Sequence, residues 1–172
     1  MAKYSAKSKK PLTIREAIET DATAIKNIVN SIAAEKYYIV PESSREDWDE
    51  AIREITNRKG LIIVAQVNDR TVGMAHLVRG KLEKNNRVGF LGIAILKESR
   101  GMSIGTTMMN HIIGWAEKQK GLEKISLTVF STNKAAINLY RKFGFKIEGV
   151  SERQYKIEGK YVDDITMGKF LT

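Results

Sequence analysis

The chain has 172 residues, a formal net charge of +9 and no cysteine. The length fits one domain, and the missing cysteine excludes disulfides, thiolate zinc sites and a cysteine nucleophile. The longest apolar run, Gly89 to Leu96, is far shorter than the ~18 residues of a membrane-spanning helix, and the first residues lack a signal-peptide core. We therefore expect a cytoplasmic protein with no membrane partner.

Residues 1–10 contain four lysines and no acidic residue. We expect this segment to be a flexible basic tail, followed by a single domain over residues 11–172. Without the four lysines the chain keeps 25 basic and 20 acidic residues, a net charge of +5. This charge suits an anionic ligand but forms no dense basic stripe, so we expect no nucleic-acid partner.

The first predicted elements are a strand and two helices. Alternating apolar residues indicate a strand over residues 12–17. Asp21 is placed to cap a helix whose buried stripe consists of Ala24, Ile25, Ile28, Val29 and Ile32. The second helix is predicted to follow Pro41, with Ser44 as its cap and Asp47 at the capping-box position. Its buried residues are predicted to be Trp48, Ile52 and Ile55.

Six strands and two helices are predicted in the remainder. The strands cover residues 61–67, 71–78, 88–96, 125–130 and, as a final pair, 146–155 with 161–171. Asn68-Asp69 indicates a hairpin turn, and the most apolar strand, 88–96, is expected at the centre with both faces covered. One helix follows Gly101, and its buried face is predicted to consist of Ile104, Met108, Ile112 and Trp115. The other helix covers residues 133–143. This order predicts an α/β (α+β) domain with a mixed sheet.

The segment from Leu91 to Thr106 carries the strongest chemical signal. A buried strand ends there, and a loop with Arg100, Gly101 and Gly105 leads into a helix. Helix N-terminal N–H groups favour anions, and glycines let a ligand approach the backbone. Neither a P-loop nor a G-x-G-x-x-G pattern is present. The sequence therefore predicts a pyrophosphate cradle of another kind.

This loop resembles the acyl-CoA-binding motif of the GNAT superfamily of N-acetyltransferases. The family pattern [QR]-x-x-G-x-[GA] reads here as Arg100-Gly101-Met102-Ser103-Ile104-Gly105. A second family motif, N-x-x-A-x-x-L-Y-x-x-x-G-F, is matched from Asn133 to Phe145. Ser103 departs from the pattern, because the family has glycine there. The resemblance covers residues 12–172 and implies a mostly antiparallel sheet of about seven strands with about four helices. The ending of the chain, E-G-V-S-E-R…G-K-Y-V-D-D…M, is similar to the Rim-type and small-amine branches.

The resemblance also implies a role for individual residues. Acetyl-CoA would place its pantetheine arm along Ile93, Ala94 and Ile95. Its pyrophosphate would bind backbone N–H groups of Gly101, Met102, Ser103, Ile104, Gly105 and Thr106, beside Arg100. Asn133 would contact the cofactor arm, and Tyr140 would give a proton to the departing CoA thiolate. A phenol with a pKa near ~10 suits that role beside a thiol near ~8.5.

The base that deprotonates the amine is not apparent from the sequence. An attacking amine must be neutral, which at pH 7 costs roughly 4.6 kcal/mol for a lysine-like amine and about 1 kcal/mol for an α-amine. Many members of the family that the chain resembles carry a glutamate on the central strand or on the strand before Asn133. Phe90 and Thr128 are near those positions here, and neither strand has a carboxylate. The base is then ordered water, a backbone carbonyl or an acid from elsewhere in the chain, for which the candidates are Glu35, Glu46, Asp47, Asp163 and Asp164.

Three further features have open interpretations. His76 and His111 match no motif and are expected to be structural, and Trp48 and Trp115 are expected in the core. The acidic residues between Glu35 and Glu54 either attract a cationic amine or form an ordinary exposed helix face.

Two functions follow from these patterns. The first is direct acetyl transfer in a ternary complex to a primary amine, which could be a protein N-terminus, an amino acid, a polyamine or a small molecule. The second is a non-catalytic acyl-CoA-binding module, or a basic protein that binds RNA or the ribosome through its tail. A homodimer formed by edge-strand pairing is a family-level expectation.

Overall fold

A computed structural model describes residues 11–36 and 47–171 of the chain. The predicted basic tail lies outside the described residues. The strands are β1 (Leu12–Glu16), β2 (Leu61–Val67), β3 (Arg70–Arg79), β4 (Val88–Ile95), β5 (Lys124–Phe130), β6 (Lys146–Ile157) and β7 (Lys160–Phe170). The helices are α1 (Ala22–Ala33), α2 (Trp48–Asn57), α3 (Ile104–Ala116) and α4 (Lys134–Lys142).

These strands form one mixed sheet in the order β1-β2-β3-β4-β5-β7-β6. The pairing of β4 with β5 is parallel, and the other pairings are antiparallel. The predicted hairpin turn is present, since Asn68 and Asp69 have φ of 50° and 60°. A second turn joins β6 to β7, where Glu158 and Gly159 have φ of 48° and 80°. The predicted fold, with about seven strands and four helices, is confirmed.

The helices cover both faces of the sheet. Helices α1 and α3 both pack on β3 and β4. Val29 and Ile32 of α1 line the same cavity as His76 of β3, whose side chain points to the face opposite to that of Gly73. A Cβ built on Gly73 of β3 would lie 3.4 Å from Met108 Sδ of α3, which identifies the face that α3 covers. A Cβ on Gly105 would lie 3.1 Å from Leu139 Cδ2, so α4 packs beside the start of α3.

The beginnings of α1 and α2 differ from their predictions. Asp21 occupies the N-cap position of α1 but its side chain makes no capping bond. Its carboxylate instead accepts bonds of 2.7 and 2.8 Å from Arg15 and one of 2.9 Å from the Ile18 N–H, because paired charge-assisted bonds are stronger. Asp47 is the N-cap of α2, not a capping-box residue, and makes no side-chain bond there. Pro41 and Ser44 lie outside the described residues.

Strand β4 is central as predicted, but it is not covered on both faces. Gly89 and Leu91 are buried, whereas Phe90 on the alternate face is 44% exposed. Trp48 is buried as predicted, while Trp115 is only half-buried because it lies at the edge of the core. The open face of β4 belongs to a cavity.

Candidate functional site

Strands β4 and β5 separate in the middle of the sheet. Their ladder consists of three residue pairs, from Val88 with Lys124 to Phe90 with Ser126. Both strands continue beyond these pairs, to Ile95 and Phe130. A cavity of about 700 Å³ opens between them. The divergence gives a ligand access to backbone groups that a continuous sheet would use in its own ladder.

One end of this cavity, here called the α3 end, is formed by the loop before α3 and the first turns of α3 and α4. A short 3-10 turn, Lys97–Ser99, follows β4. Gly101 and Ser103 then adopt positive φ values of 76° and 62°, and α3 begins at Ile104. The first N–H groups of a helix have no partner within the helix, and they carry the positive end of its dipole. This end of the cavity therefore suits an anion.

Ser103 keeps the loop conformation despite its side chain. Its φ of 62° and ψ of 9° lie in the left-handed region, which costs an L-residue roughly 1–2 kcal/mol. The backbone therefore retains the geometry that glycine supplies in the family pattern, at the expense of local strain.

Arg100 is not free to act as a phosphate-binding fork. Its guanidinium donates bonds of 2.8 and 2.7 Å to the two carboxylate oxygens of Glu35, and its Nε donates a 3.0 Å bond to the Ile95 carbonyl. The pair is largely shielded from solvent, with side-chain exposures of 32% and 18%. Arg100 therefore joins the end of α1 to the loop before α3, and its charge is already matched.

The second predicted motif also reaches the α3 end. Asn133 is the N-cap of α4, and its Oδ1 accepts a 3.1 Å bond from the Ala136 N–H, which leaves the amide nitrogen to donate to a ligand. Tyr140 lines the cavity, with 7% of its surface exposed. Burial raises the pKa of its phenol to about 12.

Nearly all the predicted cofactor residues line the cavity. Ile93, Ala94, Ile95, Arg100, Gly101, Ser103, Ile104, Gly105, Thr106, Asn133 and Tyr140 belong to its wall. Met102 does not, and its side chain is about half exposed. Its predicted contribution could come only from its backbone.

The opposite end of the cavity, here called the β7 end, is formed by Trp48, His76, Thr128 and Asp164. His76 is paired with Gly92 of β4, and its imidazole lies over the place where a Cβ of Gly92 would stand. Residues paired across strands share a face, and faces alternate along a strand. The register therefore places His76, Thr128 and Asp164 on the sheet face opposite to α3.

The candidate bases fall into different environments. The ion pair with Arg100 lowers the pKa of the Glu35 carboxyl, which makes Glu35 a weak base. Asp47 is exposed, and Asp163 accepts a 2.8 Å bond from the Arg153 N–H. Asp164 lines the cavity, and burial raises its pKa. Glu46 lies outside the described residues.

The acidic segment behaves largely as a helix surface where it is described. Asp49 pairs with Arg53, and Glu54 pairs with Arg58, each one helical turn along α2. These pairs favour the interpretation as an exposed helix face. Glu42, another member of the segment, lies outside the described residues.

Sequence reasoning missed much of the β7 end. Trp48 was assigned only to the core, yet it also lines the cavity, and its indole Nε1 finds no hydrogen-bond partner among the described residues. His76 also lines the cavity, whereas His111 is exposed on α3. The alternation of faces along β3 could have placed His76 beside Gly92, but only once the strand register was known.

Within residues 11–36 and 47–171 no cluster of three potential metal-ligating residues occurs. No helix there has both the length and the apolar composition needed to cross a membrane.

A comparison with protein families decides the assignment. The model of the acetyltransferase (GNAT) family matches residues 25–145, which include both motifs and most of the cavity wall. The chain belongs to this family. The predicted resemblance is therefore confirmed.

Individual relatives of the chain differ in what their names say they act on. The chain is 28% identical over 162 residues to an L-amino acid N-acetyltransferase from Escherichia coli, covering 92% of this chain and 97% of the relative. It is 26% identical over 158 residues to a spermidine N(1)-acetyltransferase from Vibrio cholerae, covering 88% of each. A phosphinothricin acetyltransferase from Sinorhizobium meliloti, solved in complex with acetyl-CoA, is 20% identical with a TM-score of 0.83, covering 93% of this chain and 88% of that one. The last comparison shows a common fold.

Proposed function

We propose that this GNAT protein transfers the acetyl group of acetyl-CoA directly to a primary amine, with both substrates bound at once. The observation that carries the proposal is the divergence of β4 and β5 after three residue pairs, which opens one cavity toward both faces of the sheet. A cosubstrate entering at the α3 end and an amine entering at the β7 end could meet within it. Direct transfer also agrees with the lack of cysteine.

The α3 end supports binding of the cosubstrate mainly through its backbone. The N–H groups from Gly101 to Thr106 would hold the pyrophosphate. The polar backbone groups of Ile93 to Ile95 would pair with the amide groups of the pantetheine arm, and the Asn133 amide nitrogen would donate to it. Because Arg100 is matched by Glu35, its proposed role changes from binding phosphate to fixing this loop.

Tyr140 is the proposed proton donor. A group that protonates a leaving thiolate must itself be protonated at neutral pH, and a phenol with a pKa of about 12 satisfies this condition. Backbone N–H groups of β4 beside the divergence are the proposed stabilisers of the negative charge that develops on the thioester oxygen.

The acceptor is proposed to be a primary amine, with a protein N-terminus, an amino acid, a polyamine and a small molecule all open. The names of the relatives span two of these classes. The cytoplasmic location, the homodimer and the expectation of no nucleic-acid partner stay predictions. Loss of a salt-dependent RNA affinity on deleting residues 1–10 would instead favour the binding-module alternative.

Calorimetric titration with acetyl-CoA, and separately with CoA, tests the proposal. We expect binding to the wild type, followed by thiol release when amines are added. Gly105→Val should weaken binding by about 5- to 150-fold, the equivalent of an overpacking strain of about 1–3 kcal/mol. A Cβ there would lie 3.1 Å from Leu139 Cδ2 and 3.4 Å from Ile95 Cδ1, so a branched side chain would displace the first turn of α3. Gly114→Val on the same helix is the control, since a Cβ there meets nothing within 4 Å. Failure of the wild type to bind either ligand would contradict the proposal.

A further inference from the structure

The β7 end contains a carboxylate whose charge nothing in the described structure matches. Asp164 is paired with Phe130 of β5 and Ser151 of β6, so its side chain shares their sheet face. It is half-buried and lines the cavity. Among the residues that the structure describes, its carboxylate has neither a hydrogen-bond donor nor a cationic partner. Burying an unmatched charge is costly, so a cationic ligand would be favoured there.

The carboxylate of the neighbouring residue, Asp163, has different surroundings from that of Asp164. Its carboxylate accepts a 2.8 Å bond from the Arg153 N–H and does not line the cavity. Successive residues of a strand face opposite sides, so the two aspartates have different surroundings despite their adjacency. Asp163 supports the bulged part of β6, while Asp164 has no such structural task.

The rest of the cavity wall strengthens this distinction. The other charged residue of the described wall is Arg100, and Glu35 already matches it. The β7 end also contains Trp48, Thr128 and Phe130, together with the imidazole of His76. A pocket that combines aromatic and uncharged polar side chains with one carboxylate is suited to an alkyl amine that enters as a monocation.

We propose that Asp164 binds the amine of the acceptor and receives a proton from its nitrogen during acetyl transfer. This inference rests on the proposed function, and it deepens it by naming the group that was missing from β4 and β5. The carboxylate first attracts the ammonium form and then takes one proton, which leaves the nitrogen lone pair to attack.

The protons and bonds balance without a further reactant. The nitrogen lone pair forms the C–N bond, and the C–S bond breaks with its electron pair going to sulfur. Tyr140 gives the thiolate a proton, and the second proton that the nitrogen loses on becoming an amide restores the phenol. Asp164 returns its proton to solvent, so one proton is released per ammonium acetylated.

The test uses n-butylammonium as the probe and the full chain saturated with CoA. We expect calorimetry to detect binding of the probe to the wild type and to Asp163→Asn, which removes the same charge and keeps an oxygen for the Arg153 N–H. Asp164→Asn should lose the probe while retaining its affinity for CoA, which shows that it is folded. Equal binding of the probe by Asp164→Asn and Asp163→Asn would overturn the inference, as would no binding by a wild type that binds CoA.

Turnover supplies the second readout. With an amine that the wild type acetylates, Asp164→Asn should lower kcat/KM by about 100-fold or more, and Asp164→Glu should restore part of it. A wild type that binds no acetyl-CoA would instead contradict the proposed function itself. Normal acetyl-CoA binding and turnover with an unaffected Asp164→Asn variant would contradict only the role of Asp164.

Discussion

The two ends of the cavity are built in different ways. The α3 end is preassembled: its loop is held by the Arg100–Glu35 pair, its helix begins after two residues of positive φ, and Asn133 already caps α4. The β7 end is a wall of aromatic and uncharged polar side chains with one unmatched carboxylate, Asp164. A site built from backbone groups suits a cosubstrate that is the same in every reaction. An acceptor that differs between enzymes suits a site whose individual side chains determine which amine binds.

The largest expected effect is on kcat, and it separates the proton-transfer step from the binding of acetyl-CoA. Tyr140→Phe should lower kcat by about 100- to 10,000-fold while leaving the affinity for acetyl-CoA nearly unchanged, because the ring and its packing remain. Since the pKa of Tyr140 is about 12, the wild-type rate should not decline through ionisation of this phenol between about pH 7 and 10. Steady-state kinetics and calorimetry measure the two quantities.

Tyr161→Phe is the control for this change, because Tyr161 is exposed and lies outside the cavity wall. If Tyr140→Phe retained full turnover, the phenol would be a packing residue, and the α3 end would bind without taking part in proton transfer.

A smaller effect tests whether the α3 end is preassembled by its ion pair. Glu35→Gln should lower the free energy of unfolding at pH 7 by about 1–2 kcal/mol, because a partly shielded, charge-assisted pair loses its charge. Arg100 lowers the pKa of Glu35, so the contribution is present above the ordinary pKa of about 4.3. It should disappear as the pH falls through the lower folded value.

Urea denaturation of wild type and variant at pH 7 and pH 3 measures this difference. Glu98→Gln is the control: Glu98 pairs with Arg70 at 3.0 Å, but both side chains are more than half exposed, so the change should cost less than about 1 kcal/mol. Equal effects of the two substitutions would show that the Arg100–Glu35 pair does not stabilise the loop.

The smallest effect concerns the strain in the loop before α3. Ser103→Gly should raise stability by at most about 1 kcal/mol, because relief of the left-handed conformation is partly offset by a more flexible unfolded chain. For a chain of this size that is about 2–4 °C in Tm, with acetyl-CoA affinity unchanged because the backbone N–H remains.

Gly101→Ala provides the opposite substitution in the same loop. Gly101 has φ of 76° and open space around it, so any loss of stability would come from backbone strain. A decrease in Tm for Ser103→Gly would show that the serine side chain contributes more than its conformation costs.

The sequence predicted the α3 end well and the β7 end poorly, for a physical reason. Backbone geometry restricts residue type locally, so Gly101, Asn133 and their spacing are visible in one stretch of sequence. Asp164 reaches Thr128 and Phe130 only through the pairing of β5 with β7. The Arg100–Glu35 contact likewise joins residues 65 positions apart. Such neighbours depend on strand order and register, which the sequence pattern alone did not provide.

The three-pair ladder between β4 and β5 also has a mechanical consequence. It joins a group of four strands, β1 to β4, to a group of three strands, β5 to β7. Three residue pairs resist sliding and twisting of one group of strands against the other less than the seven pairs that join β3 to β4 do. A ligand lying between the separated ends of β4 and β5 would contact both groups of strands and hold them together. Catalytic alignment and stiffness of the sheet would then rise together when the cavity fills.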